Sequence, residues 1–399
     1  MTNLIATQRR PTLDRLDDHA PDALLALIQL FRADPRRDKI DLGVGVFRDE
    51  DGATPIMHAV KTAEARLLGE QTTKAYLGSE GNQRYTDLLA LAALGASIAG
   101  SPRLTGLQTP GGTGALRLGA ELIARAAPDA TVWMSVPTWP NHTPIFEAAG
   151  LRIATHRFHD GQNGALLFDA MLDDLGNTRP GDILLLHGCC HNPTGQTLDT
   201  EQWAAVAHLC EERGLTPFID LAYQGLGDGW DADGGATRLM LEAVPEALVA
   251  YSCDKNFGLY RERVGALWVL GANEASVTRI RSSLLSLSRS IWSMPPDHGA
   301  AVVRTILEDD ALTADWRMEL DGMRQRINGL RTALGAAHPR LAPIALQRGM
   351  FAMLPLDPAT VAHLRDVHGI YMAGNGRINI AGLRDDTIPR FIAALEPHL

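Results

Sequence analysis

Short apolar runs of strand length alternate with segments of helical pattern through the middle of this chain, and that alternation restricts the fold more than any other feature. The runs are 131–135, 183–187, 217–220, 248–252 and 266–270, with helical patterns over 115–126 and 201–212. Strands alternating with helices point to parallel pairing, because parallel neighbours need a crossover connection, which a helix usually supplies. The expected fold class is therefore α/β, with a mainly parallel sheet and helices on both faces in one large domain. In such sheets ligands bind beyond the carboxyl ends of the strands. Trp139, Asn192, Asp220 and Lys255 all fall just past those ends.

After Pro295-Pro296 the pattern changes to one long helical stretch, 309–337, followed by shorter mixed elements. A smaller α+β domain over 309–399 is expected there, with segment 1–47 packing against it and 48–308 forming the large domain. A chain of 399 residues is long enough for two cores. No internal repeat or low-complexity segment interrupts it.

Charge and apolar distribution exclude several classes of partner. The net charge is -10, and the one basic run, 32–39, is broken by Asp34, Pro35 and Asp38, so no nucleic-acid surface is expected. No apolar stretch approaches the roughly 20 residues needed to cross a bilayer, and the N-terminus lacks the apolar centre of a signal peptide. A cytoplasmic location is the expectation. Cys189 and Cys190 are adjacent while Cys210 and Cys253 are isolated, a spacing that fits neither a disulfide framework nor a zinc site. His187 and His191 flank the cysteine pair, and no metal is expected there.

The chemistry concentrates in segment 251–263, where Lys255 follows an apolar run and Arg263 lies eight residues further on. A lysine amine forms a Schiff base with a carbonyl, and a guanidinium takes a phosphate through two parallel hydrogen bonds. Together they suit an aldehyde cofactor that carries a phosphate, namely pyridoxal 5'-phosphate. Gly111-Gly112-Thr113-Gly114 opens a helix, whose first N–H groups receive anions. Ser252 and Arg263 complete such a cradle, and Asp220 offers a carboxylate to a protonated pyridine nitrogen, which makes the ring a better electron sink. Each feature alone has a plainer reading: a surface ion pair, a tight turn, a helix cap, a core tryptophan. Their occurrence together, in order, favours the site.

In these motifs the chain resembles the class I aminotransferases, fold type I of the pyridoxal phosphate enzymes, in the aspartate and aromatic amino acid branch, from about residue 20 to the C-terminus. The resemblance implies that Lys255 binds the cofactor covalently and later moves the proton, that Asp220 pairs with the ring nitrogen with His142 behind it, and that Asn192 and Tyr223 bond the phenolic oxygen. Lys255, Asp220 and Tyr223 would be the catalytic residues. Gly112, Thr113, Ser252 and Arg263 would hold the phosphate, and Trp139, in the segment 137–142, would stack on the ring. Arg377, in the segment 376–382, matches the receptor for the substrate α-carboxylate, with Gly45, Trp139 and Asn192 also on the substrate side. Arg289 matches an arginine that meets a side-chain carboxylate from a neighbouring subunit, and Tyr76 a phosphate ligand donated the same way. A homodimer with shared sites follows.

One position departs from the family pattern. Relatives carry serine just before the lysine, where this chain has Asp254. A second charge 4 Å from a phosphate, at an effective dielectric of 20, costs about 4 kcal/mol, unless Asp254 turns to Arg261 or another partner. Met294 and Ala75 stand where aspartate-specific relatives carry polar groups, which favours aromatic L-amino acids, with 2-oxoglutarate as acceptor. Retention of Arg289 leaves aspartate aminotransferase as the close alternative. A lyase or decarboxylase on the same cofactor, and a binding protein without catalysis, are the other classes consistent with the residues.

Overall fold

The computed structural model describes residues 12–18 and 23–399, so the opening of the N-terminal segment, 1–11 and 19–22, lies outside the described residues. Eleven strands are present among them: β1 (Ile40–Asp41), β2 (Leu104–Pro110), β3 (Thr131–Val136), β4 (Arg152–Arg157), β5 (Ile183–His187), β6 (Thr216–Leu221), β7 (Ala247–Ser252), β8 (Val264–Leu270), β9 (Phe351–Met353), β10 (Ile370–Tyr371) and β11 (Arg377–Asn379). Seven of them form one sheet in the order β2-β8-β7-β6-β5-β3-β4. Pairings among β3, β4, β5, β6 and β7 are parallel, whereas β8 is antiparallel to both β7 and β2. The fold is the expected α/β architecture, with a single reversed strand.

The strands β5 to β8 are buried on both faces, which is why they read as nearly unbroken apolar runs rather than as alternating ones. In β6 the side chain of Phe218 enters one core with Leu248 and Ala250 of β7, while Ile219 and Leu221 enter the other with Val249 and Tyr251. The first core is closed by helices Gly111–Ala126, His142–Glu147 and Glu274–Ile291, and the second by Thr200–Arg213, Trp230–Ala243 and His298–Leu307 among others. Phe218 is fully buried. Its truncation to alanine would remove about 3–5 kcal/mol.

Local sequence sets the helix ends. Asp199 accepts from the Gln202 N–H while Gln202 returns the bond, and Gly214 closes the helix in the left-handed conformation at φ 65°. The long helix expected over 309–337 is Asp310–Ala337, capped by Asp309, whose carboxylate accepts from the N–H groups of Ala311 and Leu312 at 2.9 and 3.0 Å.

Beyond this sheet, both ends of the chain meet. β1 pairs in parallel with β10, and Tyr371 donates its hydroxyl to Asp34 at 2.7 Å. β9 and β11 pair antiparallel, Arg377 opposite Met353. Asn379 then donates its amide to the carbonyls of Val44 and Val46 at 2.7 and 2.8 Å. That bond pair holds the loop containing Gly45 beside Arg377.

Candidate active site

The carboxyl ends of β5, β6 and β7, the first turn of helix Gly111–Ala126 and the loop around Val44 enclose a cavity of about 290 Å³. Eleven of the residues expected at the site line it: Gly45, Gly112, Thr113, Trp139, Asn192, Asp220, Tyr223, Ser252, Lys255, Arg263 and Arg377. They come from segments far apart in the chain. Asp254, His187, Phe351 and Leu24 line it as well.

Asp220, at the end of β6, anchors a chain of hydrogen bonds. Burial and the nearby His142 push His187 down to about 3, so its ring is neutral with one N–H to give. The Asn192 N–H approaches His187 Nδ1 at 3.5 Å, leaving Nε2–H to donate to Thr138 Oγ1 at 3.2 Å. The Thr138 hydroxyl then donates to His142 Nδ1 at 2.8 Å, and His142 Nε2–H donates to Asp220 Oδ2 at 3.0 Å. Burial alone would raise the Asp220 carboxyl, but the hydrogen bond from His142, with Lys255 a smaller cause, carries it below its ordinary value. It stays an anion at neutral pH, ready for a cationic N–H.

Beside it, Asn192 donates to Tyr223 Oη at 3.2 Å. Burial, reinforced by Asp220, raises the Tyr223 phenol above its ordinary value, so it keeps its proton as a donor. The Lys255 amine lies 5.3 Å from the centre of the Tyr223 ring. Trp139 is half-buried and meets His142 edge-on at 5.2 Å. Asn192 Oδ1 and Arg377 Nε are buried and have no hydrogen-bond partner among the described residues. Buried polar groups in that state mark a place for a ligand or water.

A different arrangement lies at the first turn of the helix. Gly111 adopts φ 70°, and a Cβ there would sit 2.6 Å from Arg263 Nη2. A Cβ on Gly112 would lie 3.1 Å from that of Ser252. These two glycines thus let helix, serine and guanidinium converge on one spot. Asp254 does not turn to Arg261: its Oδ2 accepts from Arg263 Nη1 at 2.6 Å.

Arg377 donates Nη2–H to the Gly43 carbonyl at 3.0 Å, and its guanidinium sits 4.7 Å from the centre of the Phe351 ring. Burial lowers its pKa, although a guanidinium remains charged at any working pH. Tyr76 and Arg289 are the two expected residues not brought to the cavity. Tyr76 is 93% exposed, and Arg289 is exposed with its guanidinium on the Ser293 hydroxyl. Near them the Leu77 N–H donates to Met294 Sδ at 3.1 Å.

Sequence reasoning missed Thr138, the part played by His187, and Phe351. One signal was available for His187, which closes the apolar run 183–187 as Asp220 closes the run 217–220, and the β5–β6 register sets the two opposite each other. Phe351 carried none, since its place depends on the pairing of β9 with β11.

Comparison with known proteins agrees with this geometry. A family model described as aminotransferase class I and II matches residues 37–395. The chain is 53% identical over 375 residues to the tyrosine aminotransferase of Rhizobium meliloti (strain 1021), covering 93% of this chain and 96% of the relative. It is 45% identical over 389 residues to the aromatic-amino-acid aminotransferase of Paracoccus denitrificans, covering 96% and 98%. The crystal structure of aromatic-amino-acid aminotransferase from Burkholderia pseudomallei, covalently bound to pyridoxal phosphate, superposes with a TM-score of 0.94 at 36% identity, covering 97% and 99%. With the family matched over nine-tenths of its length and a lysine, a paired aspartate and an anion cradle in one cavity, the chain belongs to the class I and II aminotransferases.

Proposed function

We propose that this aminotransferase binds pyridoxal 5'-phosphate covalently through Lys255 and moves an amino group between an aromatic L-amino acid and a 2-oxo acid such as 2-oxoglutarate. The observation that carries the reading is the convergence of the lysine amine, the Asp220 carboxylate and the Gly112–Ser252–Arg263 cradle on one cavity with unpartnered polar atoms. That donor set fits the cofactor's aldehyde, ring nitrogen and phosphate. Once bound, the cofactor supplies an electron sink and a carrier for the amino group.

Each residue then has a task of its own. Asp220 holds a negative charge against the ring nitrogen, and the His142–Thr138–His187 chain keeps that carboxylate oriented. Tyr223 and Asn192 present an O–H and an amide to the phenolic oxygen, and Trp139 covers a ring face. Arg377 takes the substrate α-carboxylate, with Phe351 beneath it. A Cβ on Gly45 would sit 2.6 Å from Phe351 Cζ, so a glycine there lets the loop close on this ring. The Lys255 amine moves the proton at the substrate α carbon.

The exposed positions of Tyr76 and Arg289 support a homodimer in which each chain lends these two side chains to its partner's cavity. A large domain over 48–308 and a small one over 309–399 with 1–47 belong to the same reading, supported by the β1–β10 pairing. So does a cytoplasmic location, supported by four buried, unpaired thiols. No helix among the described residues is long and apolar enough to cross a membrane.

Aromatic substrates are favoured because Ala75, next to Tyr76, and Met294, whose Sδ meets the Leu77 N–H, are apolar, and because the tyrosine aminotransferase and the aromatic-amino-acid aminotransferase are close relatives. The test is a panel of amino acids added to purified protein without any 2-oxo acid, with the cofactor's absorbance followed in each case. Phenylalanine and tyrosine should bleach the lysine-bound band and release the matching 2-oxo acid. Release of carbon dioxide instead would replace this reading with a decarboxylase.

A further inference from the structure

We propose that Asp254 is a built-in rival for the arginine that receives the cofactor's phosphate, so that the phosphate group adds less to cofactor affinity here than the surrounding cradle would otherwise allow. This rests on the reading that the cavity holds a phosphorylated aldehyde.

Four observations carry it. Arg263 lines the cavity, and its Nη1 is taken by Asp254 Oδ2 at 2.6 Å and by the Tyr260 carbonyl at 3.3 Å. Asp254 is only 5% exposed, and it lines the same cavity as Gly112, Thr113 and Ser252. Its backbone N–H donates to Ser252 Oγ at 3.2 Å, which fixes the backbone of Asp254 beside the serine of the cradle. Its second oxygen, Oδ1, is buried and has no hydrogen-bond partner among the described residues.

A carboxylate in that place is expensive to keep whichever way a phosphate arrives. If the phosphate takes the guanidinium for itself, Asp254 is left as a buried charge without its partner. If both anions share Arg263, they repel each other across a few ångströms of low dielectric. A neutral side chain at this position suffers neither penalty. The helix N-terminus and Arg263 are the positive ends of the cradle, and Asp254 neutralises one of them before any ligand binds. Pyridoxal, which lacks the phosphate, should feel little of this.

The test compares two ligands on apo-protein, pyridoxal 5'-phosphate and pyridoxal, by absorbance and fluorescence titration of wild type, Asp254→Asn and Asp254→Ser. Both variants should bind pyridoxal 5'-phosphate at least ~10-fold more tightly, a fraction of what one screened like-charge contact supplies, while pyridoxal affinity stays within about twofold. Inorganic phosphate should compete better for the variants than for wild type. Unchanged or weaker binding of pyridoxal 5'-phosphate in both variants overturns the inference alone, because the cofactor still binds. Equal gains for the two ligands, or loss of pyridoxal binding in both variants, overturn it by assigning Asp254 to the shape of the cavity. If wild type and variants take up neither ligand, the inference falls together with the cofactor reading.

Discussion

Asp220 and Asp254 are both buried, both line one cavity and both end up beside a basic side chain, yet they are held in opposite ways. Asp220 sits at the last link of a relay in which each group has one donor and one acceptor role, ending on His142. Its charge is supported from behind, so its free side is available to a cation from the cavity. Asp254 is held from the front, by the very guanidinium that faces the anion cradle, and its other oxygen has no partner among the described residues. On the proposed reading the first carboxylate is free to meet a cationic ligand group, and the second competes with a ligand anion for Arg263. Burial alone does not identify a functional acid. What matters is whether its partner lies outside the cavity or within it.

The largest test of the prepared side concerns Lys255, whose amine faces Tyr223 in the same cavity. Lys255→Ala should lower turnover by about 10⁴-fold or more, since it removes both the covalent attachment and the proton carrier. Circular dichroism should show the protein still folded, and cofactor binding by dialysis should remain measurable. Near-normal turnover by this variant would end the aminotransferase mechanism drawn here.

Asp220→Asn comes next. It preserves the shape and the contact with His142 but deletes the supported charge, and kcat should fall on the order of 10²–10³-fold, as when a preorganised electrostatic partner is lost. Thr138→Ala removes the link between His142 and His187 while leaving the charge, and its effect on kcat should stay below about tenfold. If the threonine variant lost as much as the asparagine variant, the relay and not the charge would be the catalytic element.

The two arginines separate by substrate. Arg377→Ala should weaken kcat/KM for every amino acid by roughly 10²-fold or more, because all of them carry an α-carboxylate and a buried charge pair is lost. Arg289→Ala should reduce kcat/KM for aspartate and glutamate by at least about tenfold more than for phenylalanine or tyrosine. Equal losses across both classes contradict the role given to Arg289.

How much of this was legible in the sequence depended on where each residue's partners lie. The strands β5 to β8 were readable because burial on both faces leaves only apolar side chains, and their expected bounds fall within the observed ones. β4 was not, since Arg152, Thr155 and Arg157 give the outermost strand a polar look. β2 was hidden for another reason: its Gly106, Gln108 and Pro110 weaken a strand pattern, and the antiparallel partner that stabilises it, β8, is over a hundred residues away. Trp139, Asn192, Asp220 and Lys255 could be found because each lies at or past the end of an apolar run, whereas Tyr223 came through the resemblance to the class I aminotransferases. The Asp254–Arg263 pair could not be read, because residues nine apart meet through the turns between β7 and β8, where Arg263 has φ 55°.

The smallest expected effect, and the most direct on the relay, is in the pH dependence of stability. His187 is held at about 3 by burial and by His142, against an ordinary value near 6.5. Between those values the unfolded chain binds a proton that the folded chain refuses, so stability is intact above about pH 6.5 and is lost as pH falls toward 3. Asp220 has the opposite origin but the same sign: its depressed carboxyl stabilises the fold above its ordinary value, and that contribution is lost only at more acid pH. A window from about pH 7.5 to about pH 5 therefore reports the histidine and not the aspartate. His187→Gln keeps an amide N–H for Thr138 and cannot titrate. Near pH 7.5 the wild type should equal or exceed the variant in urea midpoint on apo-protein, whereas by pH 5 it should have lost about 2 kcal/mol that the variant keeps. His191 is pushed down chiefly by burial, with His187 a smaller cause, so most of its contribution is common to both proteins. Parallel pH profiles would mean that His187 takes up its proton as readily in the fold as in the unfolded chain, and its assignment as a buried neutral ring whose Nδ1 accepts from Asn192 would fall.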